Sequence, residues 1–184
     1  MISNNWQNIY KNKNNFDNIN DPHDIKVACI LAYYDGQKYI RDQISSIVNQ
    51  NTNNFSLTIF ISDDCSNENF SSSFSFDFLN IHKCDIYYRK SSKNYGYALN
   101  FLYALRDIEN EYDYYCFSDQ DDIWLPSKIE NAIKKLNMFP SKESNLYCGR
   151  STFFDENCEK IIGNSLFFKK KPSFQNALIQ NIAG

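Results

Sequence analysis

The strongest constraint on the fold of this chain is an alternation between short apolar runs and segments in which apolar residues recur at helical spacing. The predicted strands are 26–32, 57–62, 86–89, 114–117 and 146–154. The predicted helices are 37–49, one that follows the turn at 94–96, and one that begins near 126–127. Strands that alternate with helices form βαβ units, so the sequence predicts an α/β fold with a mostly parallel sheet and helices on both of its faces.

Length and composition divide the chain into two regions. Its 184 residues suffice for one domain with or without a tail. Residues 1–24 are rich in Asn and Lys and carry few apolar side chains, so we expect a poorly ordered leader, in which Trp6, Ile9 and Tyr10 offer at most a short docked helix. The apolar pattern starts after this leader, and we assign residues 25–184 to the domain.

Charge and hydropathy argue against several classes of protein. The formal net charge is −3 and the sequence has no basic block, so nucleic acid is not an expected partner. The longest apolar run, 27–32, is far too short to cross a bilayer, and the N-terminus lacks the apolar core of a signal peptide, so we expect a cytoplasmic protein. The six cysteines contain no CxxC pair, which favours reduced thiols and argues against a zinc site.

Polar side chains follow three of the predicted strands. Residues 32–35 come after the first strand, Asp63 and Asp64 after the second, and the Asp-Gln-Asp motif at 119–121 after the fourth. Because open α/β sheets bind ligands at the carboxyl ends of their strands, we expect these groups to converge there. An aromatic ring can cover a base, and crowded carboxylates suit Mg²⁺ or Mn²⁺ bound to phosphate oxygens. The sequence thus predicts a site for a nucleotide diphosphate and a divalent cation.

Four motifs in this order resemble the family 2 glycosyltransferases of GT-A fold, a Rossmann-like architecture. They are Tyr34-Asp35-Gly36, Ile61-Ser62-Asp63-Asp64-Cys65-Ser66, Asn94-x-Gly96-x-x-x-Asn100, and Phe117-Ser118-Asp119-Gln120-Asp121-Asp122-Ile123-Trp124 followed by Pro126 and Lys128. The last motif is similar to the bacterial branch that includes rhamnosyltransferase-like enzymes of surface-polysaccharide synthesis. The resemblance extends from about Lys26 to Gly184 and implies the GT-A fold for that region.

The resemblance implies an inverting, metal-dependent glycosyltransferase. Its donor would be a nucleotide-diphosphate sugar of UDP or dTDP type, its cofactor Mg²⁺ or Mn²⁺, and its acceptor a glycan or lipid-linked glycan in cell-surface polysaccharide synthesis. Such an acceptor implies peripheral contact with the inner face of the membrane. The run at 167–171, Phe-Phe-Lys-Lys-Lys, could touch anionic lipid or form a solvated basic turn.

The resemblance also implies roles for individual residues. Tyr34 and Asp64 match positions that hold the base, Asp63 supports their loop, and Asp121 is the more direct of the two metal ligands. The implied nucleotide-sugar-binding set is Ala32, Tyr34, Asp63, Asp64, Asn94, Gly96, Asn100, Asp119 and Gln120, and the implied metal set is Asp119 and Asp121.

The sequence departs from the family pattern in three places. Ala32-Tyr33 stands where relatives often carry Thr and a small or aromatic residue, and Ala98-Leu99 where many place a basic residue before the Asn. The chain ends at Gly184, about where relatives enter the acceptor half that supplies the general base, so we expect that half to be incomplete and assign no catalytic residue. The later carboxylates at 155, 156 and 159 are expected in a hairpin turn and are not assigned as the base.

Two alternatives stay open at the level of sequence. A truncated donor-binding module would bind a nucleotide without turnover. A phosphohydrolase of the haloacid dehalogenase type also uses two aspartates in an Asp-x-Asp motif, but that chemistry places the motif after the first strand. Here the motif follows the fourth strand, which disfavours the phosphohydrolase.

Overall fold

The computed structural model describes residues 5–11, 25–52, 54–68, 70, 84–108, 111–140, 144–155, 157 and 159–165. The chain divides into two compact units, 1–130 and 131–184. The first unit contains β1 (Gln7–Tyr10), β2 (Ile25–Tyr33), α1 (Gln37–Val48), β3 (Phe55–Asp63), β4 (Cys84–Lys90), α2 (Tyr97–Asp107) and β5 (Tyr114–Ser118). Helix α3 (Lys128–Leu136) begins at its end, and the second unit contains β6 (Thr152–Phe154) and β7 (Ile161–Asn164).

The five strands of the first unit form one sheet in the order β1-β4-β3-β2-β5. Strands β2, β3, β4 and β5 run parallel to their neighbours, and β1 joins the edge of β4 in the antiparallel direction. The central strands β2 and β3 are buried almost throughout, which is why they appear in the sequence as continuous apolar runs without alternation. The predicted α/β fold with a mostly parallel sheet is confirmed.

Helices cover both faces of this sheet. Ser62 and Ser118 pair in register with Ala32 and Leu31, which are consecutive residues of β2 and therefore point to opposite faces. The α2 side chain Asn100 is hydrogen-bonded to Ser62, whereas Gln43 of α1 is hydrogen-bonded to Ser118. The two helices thus lie on opposite faces, as the sequence predicts.

The predicted fifth strand, 146–154, is wrong over most of its length. Only Thr152–Phe154 is a strand, and it pairs with Ile161–Asn164 in a two-stranded antiparallel hairpin instead of adding to the parallel sheet. Leu146 is 79% exposed, so the apolar residues that suggested a strand are not buried there. The hairpin turn expected near Asp155 is present, with its main-chain N–H donating to the carbonyl of Lys160 at 3.0 Å.

The expectation that residues 1–24 form a poorly ordered leader, with at most a short helix, is wrong for the part that the structure describes. Gln7–Tyr10 is a strand that pairs with β4. Trp6 is buried, its ring centroid lies 5.0 Å from that of Phe60, and the Arg89 guanidinium lies 4.8 Å from its ring. This edge strand contains too few apolar residues to be recognised from its own sequence. Its partner β4 lies far along the chain, so the local pattern does not indicate the pairing either.

Within the described residues, no helix combines the length and apolar character that crossing a membrane requires. The aromatic and lysine run at 167–171 lies outside the described residues.

Replacing Trp6 with Ala should lower the free energy of unfolding by about 3 kcal/mol, because a large ring packed on Phe60 leaves a cavity when it is removed. Chemical denaturation of wild type and variant measures this difference. Gln7→Ala, at the exposed residue that follows Trp6 and begins β1, is the matched control and should change stability by less than about 0.5 kcal/mol. Equal, small effects for both would show that β1 contributes little to the fold.

Candidate functional site

The loops that follow β2, β3 and β5 leave the sheet at one edge. Parallel pairing sets Tyr33 beside Asp63 and Leu31 beside Ser118, so the residues that follow these strands are neighbours. Asp63 also pairs with Lys90 of β4, which brings the segment before α2 to the same edge. The polar groups that the sequence places after separate strands therefore converge as expected.

The loop after β2 is joined to the Asp-Gln-Asp loop by the side chain of Gln120. Its Oε1 accepts the main-chain N–H of Tyr34 at 2.8 Å, and its Nε2 donates to the carbonyl of the same residue at 3.1 Å. Tyr34 itself is 44% exposed, and Ala32 before it is partly exposed. Gln120 therefore contacts another loop of the protein with both ends of its amide.

The loop after β2 is also joined to the loop after β3. Asp35 has a φ of 44°, a left-handed conformation that Asp tolerates better than most residues. Its main-chain N–H donates to Ser66 Oγ at 2.9 Å, and its carboxylate accepts from the main-chain and side-chain nitrogens of Asn67, both at 2.8 Å. These contacts offset the cost of the unusual backbone and hold the two loops together.

Asp64 is 3% exposed, and it fixes the segment that leads into α2. One carboxylate oxygen accepts the N–H of Tyr95 at 2.8 Å and the other accepts the N–H of Gly96 at 2.7 Å. Gly96 has a φ of 81°, which favours glycine, and its N–H also donates to Asn94 Oδ1 at 3.0 Å. Each carboxylate oxygen keeps acceptor capacity beyond these bonds, so a base N–H contact for Asp64 stays a prediction.

Asp63 is fully buried, and its carboxylate is hydrogen-bonded within its own loop and to β4. Its carboxylate accepts from Ser66 N–H at 2.7 Å and from the Tyr88 hydroxyl at 2.6 Å. Burial, then the hydrogen bond and the negative charge of Asp63, raises the pKa of Tyr88 well above its usual value. Burial and the same carboxylate raise the pKa of Tyr33 to about 12, so both phenols stay neutral at physiological pH.

Asn100 lies beneath the site, with 2% of its surface exposed. Its Nδ2 donates to the Ser62 carbonyl at 2.8 Å, and its Oδ1 accepts from Ser62 Oγ at 2.6 Å. Ser62 Oγ also accepts from Arg89, which forms an ion pair with Asp107 at 2.6 Å. The structure thus gives Asn100 internal contacts that join α2 to β3, and the contact with a nucleotide sugar implied for it stays a prediction.

A row of polar side chains on α1 holds the loop after β5 from beneath. In the amide orientation that satisfies all its neighbours, Gln43 accepts from Ser118 Oγ and from Trp124 Nε1 and donates to Ser46 and to the Asp122 carbonyl. The main-chain N–H of Trp124 donates to Ser46 Oγ at 3.0 Å. Sequence reasoning missed these residues because it followed the apolar stripe of α1. The sequence signal that could have identified them is the recurrence of polar residues on one side of the helix.

The same row continues with Gln50 at the end of α1. Its Nε2 donates to the Leu125 carbonyl at 2.8 Å, and its Oε1 accepts the N–H of Ile129 at 3.1 Å. Buried polar groups require such partners, and each of these joins α1 to the segment between β5 and α3. The loop that carries the Asp-Gln-Asp motif is therefore attached to α1 along its length.

Asp119, Asp121 and Asp122 are exposed together on this loop. The pKa of Asp119 is raised, mainly by partial burial and then by the negative charge of Asp121. The pKa of Asp122 is also raised, mainly by partial burial and then by the negative charges of Asp119 and Asp121, although the positive charge of Lys128 opposes this shift. Among the described residues, no donor is hydrogen-bonded to the Asp119 or Asp121 carboxylate. Also in this part of the chain, no three His, Cys, Asp or Glu side chains form a group that could hold a metal ion unaided. Carboxylates that repel each other and accept no hydrogen bond from the protein are chemically suited to bind Mg²⁺ or Mn²⁺, with phosphate oxygens as the remaining ligands of the ion.

The sequence matches the family described as Glycosyl transferase family 2 over residues 28–175. It is 40% identical over 105 residues to the protein named dTDP-rhamnosyl transferase RfbG of Shigella flexneri, a match that covers 56% of this chain and 35% of that protein. It is 29% identical over 123 residues to the protein named Uncharacterized glycosyltransferase RT0329 of Rickettsia typhi, covering 67% of this chain and 36% of that one. The chain thus spans about a third of the length of these relatives.

Two solved structures are similar in fold. S. aureus TarS 1-349 in complex with UDP matches with a TM-score of 0.51 and 20% identity, over 62% of this chain and 32% of the TarS 1-349 chain. The mannosyltransferase PcManGT of Pyrobaculum calidifontis, in complex with GDP-Man and Mn2+, matches with a TM-score of 0.50 and 18% identity, over 70% of this chain and 35% of that one. At these identities the likeness shows the fold alone.

Replacing Asp64 with Asn should lower the free energy of unfolding by about 2 kcal/mol, because one of the two N–H groups of Tyr95 and Gly96 would then face an amide nitrogen instead of an acceptor. Denaturant titration measures this loss. Asp42→Asn, an exposed aspartate on α1, is the matched control and should be neutral. If Asp64→Asn is as stable as the control, the carboxylate does not hold this segment.

Removing one charge from the Asp-Gln-Asp loop should stabilise the protein at neutral pH in the absence of metal. The pKa of Asp119 is raised in the folded state, so the folded protein binds a proton at this carboxyl more readily than the unfolded chain does. The free energy of unfolding therefore falls as the pH rises from the unfolded-state pKa of Asp119 to its folded-state pKa. Asp121→Asn reduces the repulsion that contributes to this loss. The variant should therefore melt at a higher temperature than wild type near about pH 7, and the difference should shrink toward about pH 3, where carboxyls are protonated.

Thermal melts in chelator-treated buffer at both pH values make this comparison, with Asp42→Asn again as the control. A gain of the same size at both pH values would show that repulsion between these carboxylates does not cause it.

Proposed function

The chain belongs to glycosyl transferase family 2, and we propose that it binds a nucleotide-diphosphate sugar and serves to transfer the sugar to a glycan or lipid-linked acceptor. The observation that carries the proposal is the junction of three loops at one edge of the sheet. There the exposed aromatic residue Tyr34 lies on a loop that is hydrogen-bonded to the side chain of Gln120. Asp119 and Asp121 immediately precede and follow that glutamine. An exposed aromatic ring suits a base and a pair of carboxylates suits a metal-bound diphosphate, so the joined loops offer groups for both ends of such a ligand.

The base end of the donor belongs to the loops after β2 and β3. The half-exposed ring of Tyr34 offers a face on which a base can stack, and Asp64 retains acceptor capacity for a base N–H. Its two bonds to Tyr95 and Gly96 hold that carboxylate in place before a ligand arrives. A preorganised acceptor of this kind loses little entropy on binding.

The diphosphate end belongs to the loop after β5. Asp119 and Asp121 would hold Mg²⁺ or Mn²⁺, with Asp121 as the more direct ligand. When bound, such an ion neutralises charge that develops on the departing nucleotide. The loop itself is held by Gln43 of α1 and by Gln50 just after that helix, so its two carboxylates stay at the edge of the sheet.

Transfer with inversion needs a general base that takes the proton from the acceptor hydroxyl. Asp155 is not assigned to this task, because its Oδ1 accepts the main-chain N–H groups of Glu159 and Lys160 at 2.8 and 3.1 Å within its own hairpin. Inversion at the anomeric carbon is proposed from the family resemblance.

The choice of donor is supported by the names of similar proteins. A relative named for dTDP-rhamnosyl transfer favours a dTDP donor, and a neighbour in fold that is named as a complex with UDP favours a donor of UDP type. We propose one of these two nucleotides, a role in cell-surface polysaccharide synthesis, and a cytoplasmic site of action at the inner membrane face. The membrane contact is a prediction from sequence.

A thermal-shift panel of UDP, dTDP and GDP and their sugars, with and without Mn²⁺, tests the donor site. A ligand that binds only the folded protein stabilises it by about 2.7 kcal/mol at a hundredfold excess over its dissociation constant. We expect one nucleotide to raise the melting temperature only with Mn²⁺, and we expect Asp121→Ala to abolish this rise while the exposed-surface control Asp42→Ala retains it.

The absence of a shift with every nucleotide would contradict the proposed donor site. A shift that survives in Asp121→Ala would contradict the metal-mediated part of it. Binding of a nucleotide sugar without release of nucleotide in the presence of glycan acceptors would favour a donor-binding module over a transferase.

A further inference from the structure

Gln120 occupies the middle of the Asp119–Asp121 motif, yet its amide serves the loop of another strand. Its oxygen accepts the N–H of Tyr34 and its nitrogen donates to the carbonyl of Tyr34, at 2.8 and 3.1 Å. A carboxamide has one acceptor group and one donor group in a fixed plane, so two bonds to one residue set its direction as well as its distance. The motif and the loop after β2 are therefore clamped at two points.

Gly36 leaves the space that this clamp needs. A Cβ atom added at Gly36 would lie 2.3 Å from Cδ and Oε1 of Gln120 and 2.7 Å from its Nε2. The backbone at Gly36 has a φ of −104°, which any residue can adopt. Glycine at this position is thus explained by the proximity of the Gln120 side chain and not by the conformation of the main chain.

The clamp joins the two ends of the proposed donor site. On one side is Tyr34, whose ring is 44% exposed. On the other side are Asp119 and Asp121, immediately before and after Gln120. Within the described residues, no other side chain is hydrogen-bonded to the main chain of Tyr34, so this amide is the side-chain contact that ties Tyr34 directly to the carboxylate loop.

We propose that Gln120 is a positioning residue that sets the separation between the base-side loop and the carboxylate loop, with Gly36 as its steric complement. The inference rests on the proposed function, because it needs a nucleoside diphosphate that touches both loops at once. A ligand that engages two fixed subsites binds more tightly than one that must first bring them into place. Gln120 then acts on affinity through Tyr34 and the carboxylates, without touching the nucleotide.

Two single variants break the clamp by independent routes. Gln120→Ala removes the amide, and Gly36→Ala keeps the amide but pushes the flexible end of its side chain away. The double variant Gly36→Ala/Gln120→Ala removes the Gln120 atoms that lie nearest to the added methyl group. Gln37→Ala is the matched control, since this glutamine follows Gly36 and its buried Nε2 has no hydrogen-bond partner among the described residues.

Titration calorimetry of the 184-residue chain with UDP, dTDP and GDP in the presence of Mn²⁺ measures binding that spans both loops. Competition titrations with the matching monophosphates in metal-free buffer measure binding at the base side alone. We expect each single variant to bind the diphosphate about tenfold more weakly and the monophosphate within about twofold of wild type. We expect the double variant to lose about tenfold and not the roughly hundredfold of independent effects.

Each outcome distinguishes the positioning role from the donor site. If wild type binds no diphosphate, the proposed function fails and the positioning role fails with it. If wild type binds and both single variants bind equally well, only the positioning role is overturned. An equal loss for diphosphate and monophosphate, or losses that multiply in the double variant, would also overturn it, since either result indicates general damage to the fold. Melting curves of all variants identify any that do not fold, and Gly36→Ala tests the role if Gln120→Ala is among them.

Discussion

The parallel pairing of β2 with both of its neighbours is the constraint on which the rest of the structure depends. Because β3 and β5 run in the same direction as β2, three strands end at one edge and deliver their next residues to one place. The same pairing buries both faces of β2, so helices must cover the sheet on each side. The position of the candidate site and the placement of the helices on both faces therefore both result from this parallel pairing.

Loops crowded at the end of a parallel sheet contain many polar groups, and here the loops satisfy one another. Asp64 accepts main-chain N–H groups from the segment before α2, Asp35 accepts from the loop after β3, and Gln120 pairs with the loop after β2. Each such bond contributes about 1 kcal/mol, but losing one partner of a buried pair costs more than that. The arrangement therefore behaves as one connected unit, in which the geometry of a loop depends on side chains from its neighbours.

The sequence predicts the parts of this fold that depend on local patterns. Strands β2 and β3 were predicted because burial on both faces leaves continuous apolar runs, and α1 because its apolar residues recur at helical spacing. Strand β1 was missed, since its pairing partner β4 lies far along the chain and the segment itself is only weakly apolar. The strand predicted at 146–154 was too long, because only its last three residues pair, and they do so within a local hairpin. Motif order predicted that the polar residues converge at one edge of the sheet, as they do in the structure.

The contacts of those polar residues were harder to predict. A carboxylate or amide that binds a nucleotide and one that binds a neighbouring loop need the same donors and acceptors, so residue type alone does not separate them. Asp64, Gln120 and Asn100 were all predicted to face the donor, whereas the structure shows each with bonds to the protein itself. The polar row on α1 had no motif to mark it, because helical spacing of Gln and Ser also occurs on solvated helices.

The position of β1 has a consequence for the order in which the chain can fold during synthesis. This strand is synthesised before the other four strands of its sheet, but it pairs Gln7 with Tyr88 on a strand that is synthesised after β2 and β3. Until β4 has joined the sheet, the main-chain groups of β1 have no strand partner and stay hydrogen-bonded to water, and the indole of Trp6 stays exposed. Long-range pairing of this kind forms late and is costly in loop entropy. Of the five strands in this sheet, the one that is synthesised earliest is thus the last that can be added at the β4 edge.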